Sequence, residues 1–122
     1  MRRTLPGSQR FTKVEAVDEK AYGANHAYEI SAVVDPEGLD EGQNTFTTIR
    51  FQKGPIKETG VNGIHNEDLI HVVLDRLYGF QDTLHACREN AIVITKLEEA
   101  LHWLNHRTQA RQARGVEGTS EA

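Results

Sequence analysis

The feature that most constrains the fold is one long uninterrupted helical stretch near the carboxy terminus. From Ala86 to Arg114 the chain has neither glycine nor proline, and Gly115 follows directly as a stop signal. Its apolar residues keep one helical stripe: Ala91, Ile94, Leu97, Leu101 and Leu104. Roughly 28 residues at about 1.5 Å each make a rod of about 42 Å. The fold must therefore supply partners for a long apolar face.

A shorter helix is predicted just before this rod. Asn66 is a plausible N-cap, the apolar periodicity predicts a helix over Glu67–Tyr78, and Gly79 is expected to end it. This helix is only about 12 residues or about 18 Å long, so the two form an unequal antiparallel hairpin. Half of the long apolar face then lacks a partner within the hairpin. Either a sheet or a second copy of the chain covers it.

The first half of the sequence reads as strands separated by turns. Strands are predicted over Arg10–Val17, His26–Asp35 and Thr45–Gln52, the last with clear alternation. Asp35–Gly38 is a predicted turn, residues 39–44 a loop, and residues 53–63 a loop without any regular element. The predicted fold class is α+β, with a small amino-terminal antiparallel sheet followed by a two-helix hairpin. We expect one domain over residues 1–122, with the sheet at about 10–52, the hairpin at about 66–114 and a frayed tail at 115–122.

Composition excludes several classes of function. The 122 residues carry a net charge of −4, which argues against coating of a nucleic-acid polymer. The apolar runs are too short to span a membrane, and the amino terminus does not resemble a signal peptide. The single Cys87 forms no internal disulfide, so a reducing cytoplasm is expected. Because the net charge of the chain is negative, any site that binds an anion must be a local cluster of basic residues.

Three arginines at the end of the long helix are the candidate anion site. Arg107, Arg111 and Arg114 are spaced i, i+4 and i+7, and they continue the side of the helix that Leu97 and Leu104 occupy. Burial of a guanidinium without an anion is costly. The face is therefore either a solvated helix end or a pocket that binds phosphate through charge-assisted hydrogen bonds.

Asn90 lies on the same helix, near the apolar stripe but at the opposite end. Seventeen residues separate it from Arg107, which is about 25 Å along a helix. A nucleotide-sized ligand cannot contact both within one chain. If both serve one pocket, two long helices must run antiparallel and bring Asn90 of one chain beside the arginines of the other.

Other patterns carry no predicted chemistry. His102 and His106 have metal-ligand spacing, but no third ligand is evident, so a solvated helix face is expected. The glycines of ETGVNG match neither a P-loop nor a dinucleotide fingerprint. We therefore expect no catalytic residue, no metal and no cofactor.

Three stretches of the second half form a recognisable signature: FQKGPIKETGVNG, LDRLYGFQ and CRENAIVITKLEEALHWLNHRTQARQARGVEGT. Together they closely resemble phage proteins of the Thoeris anti-defence one family. The likeness covers Phe51–Thr119 well and the amino-terminal strands more loosely. The hairpin of that family is shared with the anti-CBASS two family, whose members are smaller and essentially helical, so the strands favour the Thoeris family.

The resemblance implies a sponge and not an enzyme. Such proteins sequester glyco-cyclic ADP-ribose signals of bacterial Thoeris immunity, unchanged, in the cytoplasm of the infected host. The ligand contacts of the family correspond here to four residues. Phe80 is expected to stack on the ligand, Asn90 to hydrogen-bond to it, and Arg107 and Arg111 to bind its pyrophosphate. Less specific expectations are Lys53, Pro55 and Lys57 in the loop, and Thr108 and Arg114 on the long helix.

The resemblance also implies self-association. A homodimer is expected, or a hexamer built as a trimer of dimers, in which cyclic trinucleotides occupy separate sites. The alternatives are a sponge for CBASS cyclic di- or trinucleotides, a nucleic-acid-binding phage regulator that uses the arginine helix, and an enzyme that cleaves the signal.

Overall fold

The computed structural model describes residues 2–7, 11–33 and 45–121. The chain forms two compact units, Met1–Ile64 and His65–Ala122. The first unit contains the strands of the described chain and the second contains its two long helices. This confirms the predicted α+β class with an amino-terminal sheet and a carboxy-terminal hairpin. The single domain over residues 1–122 stays a prediction.

The first unit is a four-stranded antiparallel sheet in the order β1-β2-β3-β4. Its strands are β1 (Arg3–Thr4), β2 (Thr12–Ala16), β3 (Ala27–Ala32) and β4 (Thr45–Arg50). The last three lie inside the predicted ranges. Strand β1 was not predicted, because two residues are too few to show alternation. The predicted turn at Asp35–Gly38 and the loop at 39–44 lie outside the described residues.

A buried polar network ties β1 to the connection between β2 and β3. Buried Asn25 accepts a hydrogen bond from Arg3 Nη2 at 2.7 Å and donates to the carbonyl oxygen of Asp18 at 2.7 Å. The Asp18 carboxylate accepts from the backbone N–H of His26 at 3.0 Å. Desolvation raises the pKa of this carboxyl, but the hydrogen bonds from His26, Ala27 and Asn25 outweigh it and hold the pKa below its ordinary value.

The segment after β4 is more regular than the sequence predicts. A one-turn helix, α1 (Ile56–Thr59), lies where no regular element was expected, and that prediction is wrong. Pro55 precedes the turn with φ already preset for it. Asn62 accepts from the backbone N–H of Lys53 at 2.8 Å and donates back to its carbonyl at 2.8 Å. These reciprocal bonds close the loop.

Gly63 is required where this loop returns to the sheet. A Cβ placed on it would lie 2.4 Å from the backbone carbonyl carbon and oxygen of Phe51. The neighbouring residue Ile64 pairs with Phe51 as an isolated parallel bridge. The loop therefore rests directly on the backbone that follows β4.

The second unit begins with helix α2 (Asn66–Gln81). His65 is the N-cap, one residue before the predicted one, and its backbone N–H donates to the Asp68 carboxylate at 2.8 Å in a capping box. Gly79 lies inside the helix, so the prediction that it ends α2 is wrong. Its φ is not positive, and a glycine within a helix costs only about 1 kcal/mol relative to alanine.

Helix α3 (Arg88–Arg114) matches its prediction closely. The Cys87 sulfur caps it by accepting from the backbone N–H of Asn90 at 3.4 Å, and Gly115 ends it in the left-handed conformation with φ 75°. The predicted antiparallel hairpin is confirmed. Leu74 of α2 is only 3% exposed, and Tyr78 Oη donates to Glu98 Oε2 at 2.6 Å.

The hairpin buries little of its apolar surface within one chain. Leu84 is 90% exposed and Trp103 is 60% exposed, and other large apolar side chains also face outward: Val72, Val73, Tyr78, Ile92 and Val93. Among the described residues, no helix is both long enough and apolar enough to cross a membrane. Most of the predicted stripe is half-buried, at Ile94, Leu97, Leu101 and Leu104, so the exposed apolar side chains lie largely outside it. What covers the long apolar face stays a prediction.

Candidate functional site

The site residues predicted on the hairpin fall at its two ends. Phe80 and Asn90 flank the connection between α2 and α3, whereas Arg107 and Arg111 lie in the last turns of α3. The helical rise puts about 25 Å between Asn90 and Arg107, as the sequence predicts. One chain therefore does not bring the two pairs together.

The connection end presents an aromatic ring with a cation over it. Phe80 is half-buried in the last turn of α2, not between the helices as the sequence suggested, because α2 continues through Gly79. Arg76 Cζ lies 5.0 Å from the centroid of the Phe80 ring, a cation–π distance, and the His85 ring meets it edge-on at 6.3 Å. Arg76 was not among the predicted site residues, although its spacing of four residues from Phe80 indicates contact on a helix.

A side-chain clamp fixes this end. Gln81 Nε2 donates to the carbonyl oxygen of Cys87 at 3.1 Å, and the Cys87 N–H donates to Gln81 Oε1 at 3.0 Å. Three residues further on, the Asn90 side chain is half-buried, and its amide forms no hydrogen bond to the described residues. The side-chain amide of Asn90 therefore has a donor and an acceptor available, next to the connection that the Gln81–Cys87 hydrogen bonds hold in place.

The arginine end contains cations in different situations. Arg107 is exposed, and its guanidinium forms no hydrogen bond or ion pair with any residue of the described ranges. Arg114 is also exposed. The Thr108 hydroxyl donates to the carbonyl oxygen of Leu104 at 3.2 Å within the helix. Arg107 thus has its full set of planar donors available to an anion.

Arg111 is the opposite case, because it is only 8% exposed and is bonded to the segment that follows the helix. Its Nη2 donates to the carbonyl oxygens of Val116 at 2.9 Å and Thr119 at 3.2 Å, and its Nη1 donates to that of Glu121 at 2.7 Å. Its Nε donates to Glu117 Oε2 at 3.3 Å. The prediction of a frayed tail is wrong for residues 115–121, which fold back over the last turn of α3.

Glu117 is the functional neighbour that the sequence analysis missed. It lies beyond the glycine stop, outside the helical spacing from which the arginine site was predicted. The available signal was Gly115, since a left-handed residue at a helix end reverses the chain and returns the next residues to the last turn. An arginine four residues before such a glycine is placed to bind those returning carbonyls.

The loop residues predicted as ligand contacts belong to the first unit. The ammonium groups of Lys53 and Lys57 are exposed and form no ion pair with the residues described by the structure. The Lys53 backbone is fixed by Asn62, and Pro55 begins α1. The loop therefore offers two free cations on a rigid backbone.

A groove of ≈ 490 Å³ between α2 and α3 has the wrong charge for a phosphate. His71, Asp75, Tyr78 and Glu98 contribute to its lining. The hydrogen bond to Glu98, with desolvation and the charge of that carboxylate, raises the pKa of Tyr78. With two carboxylates and a neutral phenol, this groove repels anions.

The histidine pair on α3 is engaged with an aromatic ring. The rings of His102 and His106 each meet the Trp103 ring edge-on, with centroids 5.5 Å apart in both pairs. Among residues 2–7, 11–33 and 45–121, no group of three or more potential ligands is placed to hold a metal ion. The pair is therefore part of an exposed aromatic surface.

Comparison with known proteins agrees with this architecture. A family model described as Acb2/Tad1, hairpin domain, matches residues 43–109. A protein of Bacillus phage SBSphiJ7 named Thoeris anti-defense 1 is 61% identical over 74 residues. That alignment covers 61% of this chain and 52% of the relative, so the chain spans about half the length of the protein it matches. The family model covers more than half of the chain, and the protein belongs to the Acb2/Tad1 hairpin-domain family.

Proposed function

We propose that this protein is a phage anti-defence protein that binds glyco-cyclic ADP-ribose signals of bacterial Thoeris immunity and sequesters them without cleavage. The observation that carries the proposal is the 61% identity to a phage protein named Thoeris anti-defense 1. The matched family region, residues 43–109, contains Phe80, Asn90 and Arg107. In this role the protein acts inside the infected bacterium.

The geometry supports a pocket made by two chains. Each hairpin separates its aromatic end from its arginine end by about 25 Å, so one end alone offers only half of the required chemistry. Two hairpins that pair antiparallel bring Phe80 and Asn90 of one chain beside Arg107 and Arg111 of the other. Such a dimer contains two equivalent pockets.

Exposed apolar side chains of the hairpin support the pairing. Trp103 and Leu84 are mostly exposed in the single chain, and burial of apolar surface stabilises association by about 25 cal/mol per Å². A second copy of the hairpin carries the same exposed apolar side chains. We propose a homodimer, and a hexamer as a trimer of dimers where higher assembly occurs.

The chemistry of the ligand fits the residues at the two ends. The adenine has a flat face that stacks on an aromatic ring such as Phe80, and its edge hydrogen-bonds to an amide such as Asn90. The pyrophosphate accepts paired hydrogen bonds from guanidinium groups, for which Arg107 has all of its donors available. Thr108 and Arg114, and the loop residues Lys53, Pro55 and Lys57, are proposed as secondary contacts.

Sequestration without cleavage has a direct test. The protein is incubated with glyco-cyclic ADP-ribose and removed by filtration, and the filtrate is assayed for activation of a Thoeris effector. We expect an inactive filtrate, and we expect mass spectrometry to find the intact ligand after the retained protein is heated. A linear ADP-ribose product would indicate an enzyme, and a fully active filtrate would reject the proposal.

The second candidate is sequestration of CBASS cyclic di- or trinucleotides, alone or as a second activity. It is favoured by the family description, which joins the Acb2 hairpin with that of Tad1. The same filtration assay with cyclic oligonucleotides distinguishes the two. If both classes bind, competition shows whether they share a pocket: independent binding indicates separate sites, and mutual displacement indicates one.

A further inference from the structure

We propose that Glu117 is an internal counter-ion of Arg111 that weakens binding of anionic ligands at the arginine end of the hairpin. This inference rests on the proposed function, in which Arg111 contacts the pyrophosphate. Glu117 Oε2 lies 3.3 Å from Arg111 Nε and forms an ion pair with it. A ligand phosphate that approaches Arg111 therefore meets a guanidinium that already has a carboxylate partner.

The ion pair is separable from the bonds that hold the guanidinium in place. Both Nη atoms donate to backbone carbonyl oxygens of the tail, at 2.7 Å to Glu121, 2.9 Å to Val116 and 3.2 Å to Thr119. Only Nε is bonded to the carboxylate. Removal of that carboxylate leaves three carbonyl bonds to position Arg111 while it frees the Nε–H donor.

The tail carries Glu117 on a fixed backbone. Val116 is buried, its carbonyl oxygen also accepts from the Thr119 hydroxyl, and the Glu121 N–H donates to that hydroxyl at 3.3 Å. Gly115 and Gly118 have φ of 75° and 81°, which give the segment its reversal. The carboxylate is therefore held beside the arginine by the fold of the segment as well as by its own charge.

Charge determines the direction of the effect. The Glu117 side chain is 37% exposed, so its carboxylate is reached by solvent and by ions. It competes with a phosphate oxygen for Nε–H and repels the negative charge of the ligand. Replacement with glutamine keeps the shape, removes the charge repulsion, and leaves only a neutral amide oxygen as a weaker competitor for Nε–H.

The test compares Glu117→Gln with Glu121→Gln by calorimetric titration with glyco-cyclic ADP-ribose. Both variants remove one negative charge from the same segment, but Glu121 contacts Arg111 only through its backbone carbonyl. We expect Glu117→Gln to bind about two- to five-fold more tightly, the scale of one partly exposed ion pair, and to melt at an equal or lower temperature. Glu121→Gln is expected to change neither quantity. If Glu117 had only a structural role, Glu117→Gln would lower both the affinity and the melting temperature. Binding by Glu117→Gln that is equal to or weaker than that of the wild type would overturn the inference.

A second readout separates this inference from the proposed function. The Arg111 Nε–H resonance is followed by NMR while inorganic pyrophosphate is added to the wild type and to both variants. We expect half-saturation at a lower pyrophosphate concentration in Glu117→Gln only. Identical titrations in all three proteins overturn the role of Glu117, whereas failure of the wild type to bind glyco-cyclic ADP-ribose overturns the proposed function.

Discussion

Arg111 Nη2 donates to the carbonyl oxygen of Val116 at 2.9 Å, and this bond closes the carboxy-terminal segment over the last turn of α3. As a result, the arginines at the end of α3 differ in burial and in hydrogen bonding. Arg111 is buried against the tail, whereas Arg107 is exposed and unbonded to the described residues. The two arginines therefore have different expected effects on stability and on binding.

Arg107→Ala should weaken ligand binding and leave the fold intact. A charge-assisted hydrogen bond contributes roughly 1.5–3 kcal/mol, which corresponds to about a 10- to 150-fold loss of affinity. The melting temperature should not change, because the described chain contains no partner for this side chain. Calorimetry with glyco-cyclic ADP-ribose and thermal melting measure the two effects. Lys96→Ala removes a positive charge elsewhere on α3 and serves as the control; equal losses in both variants would indicate a non-specific charge effect.

Arg111→Ala should destabilise the protein as well as weaken binding. Four acceptors each lose a hydrogen bond from Arg111, and a buried polar group left unsatisfied costs roughly 1–3 kcal/mol. Hydrogen exchange should accelerate at the Val116 and Thr119 amides, both of which are bonded within the closed segment. Unchanged exchange and an unchanged melting temperature would show that the segment does not depend on Arg111.

Trp103→Glu should dissociate the proposed homodimer. Trp103 is 60% exposed in the single chain, and central aromatic residues of interfaces contribute about 2 kcal/mol or more, or roughly 30-fold in the dissociation constant. Sedimentation velocity measures the change. Gln109→Glu introduces the same charge at another exposed position of α3 and should keep the assembly. If Trp103→Glu forms the same oligomer as the wild type, Trp103 is not part of the interface.

Asp18→Asn should alter the acid stability of the first unit. The folded state holds the pKa of Asp18 below its ordinary value of 3.8, so the carboxylate stabilises the fold above that pH. This stabilisation is lost as the pH falls below about 3.8 and through the folded-state pKa. The wild type should therefore lose more stability than Asp18→Asn between neutral pH and pH 3, as measured by urea unfolding. Parallel pH profiles would contradict this role.

The hairpin was predictable because its signals are local and repeated. Five apolar residues at helical spacing and a terminal glycine set the course of α3, and the structure ends that helix at Arg114 as expected. Strand β1 and helix α1 were missed because their two and four residues carry no periodicity. Gly79 was misread because a glycine stops a helix only when the backbone turns left-handed, which sequence alone does not determine.

The candidate site was predictable only in part, for a related reason. Helical spacing correctly groups Arg107 and Arg111 on one face, and helical rise correctly separates them from Asn90. Spacing contains no information on residues beyond the helix end, so the tail that binds Arg111 could not be derived from it. Glu117 is near Arg111 because Gly115 reverses the chain, and such contacts depend on backbone geometry outside any periodic element.

The proposed pocket between subunits is tested most directly by complementation of two defective chains. Asn90→Ala and Arg107→Ala chains are co-expressed with different tags, and the mixed dimer is purified and titrated with glyco-cyclic ADP-ribose. If each pocket takes Asn90 from one chain and Arg107 from the other, the mixed dimer has one pocket with both substitutions and one intact pocket. We predict one ligand bound per mixed dimer with wild-type affinity, and none at that affinity in either homodimer. A mixed dimer that binds no ligand with wild-type affinity would contradict a pocket formed between subunits.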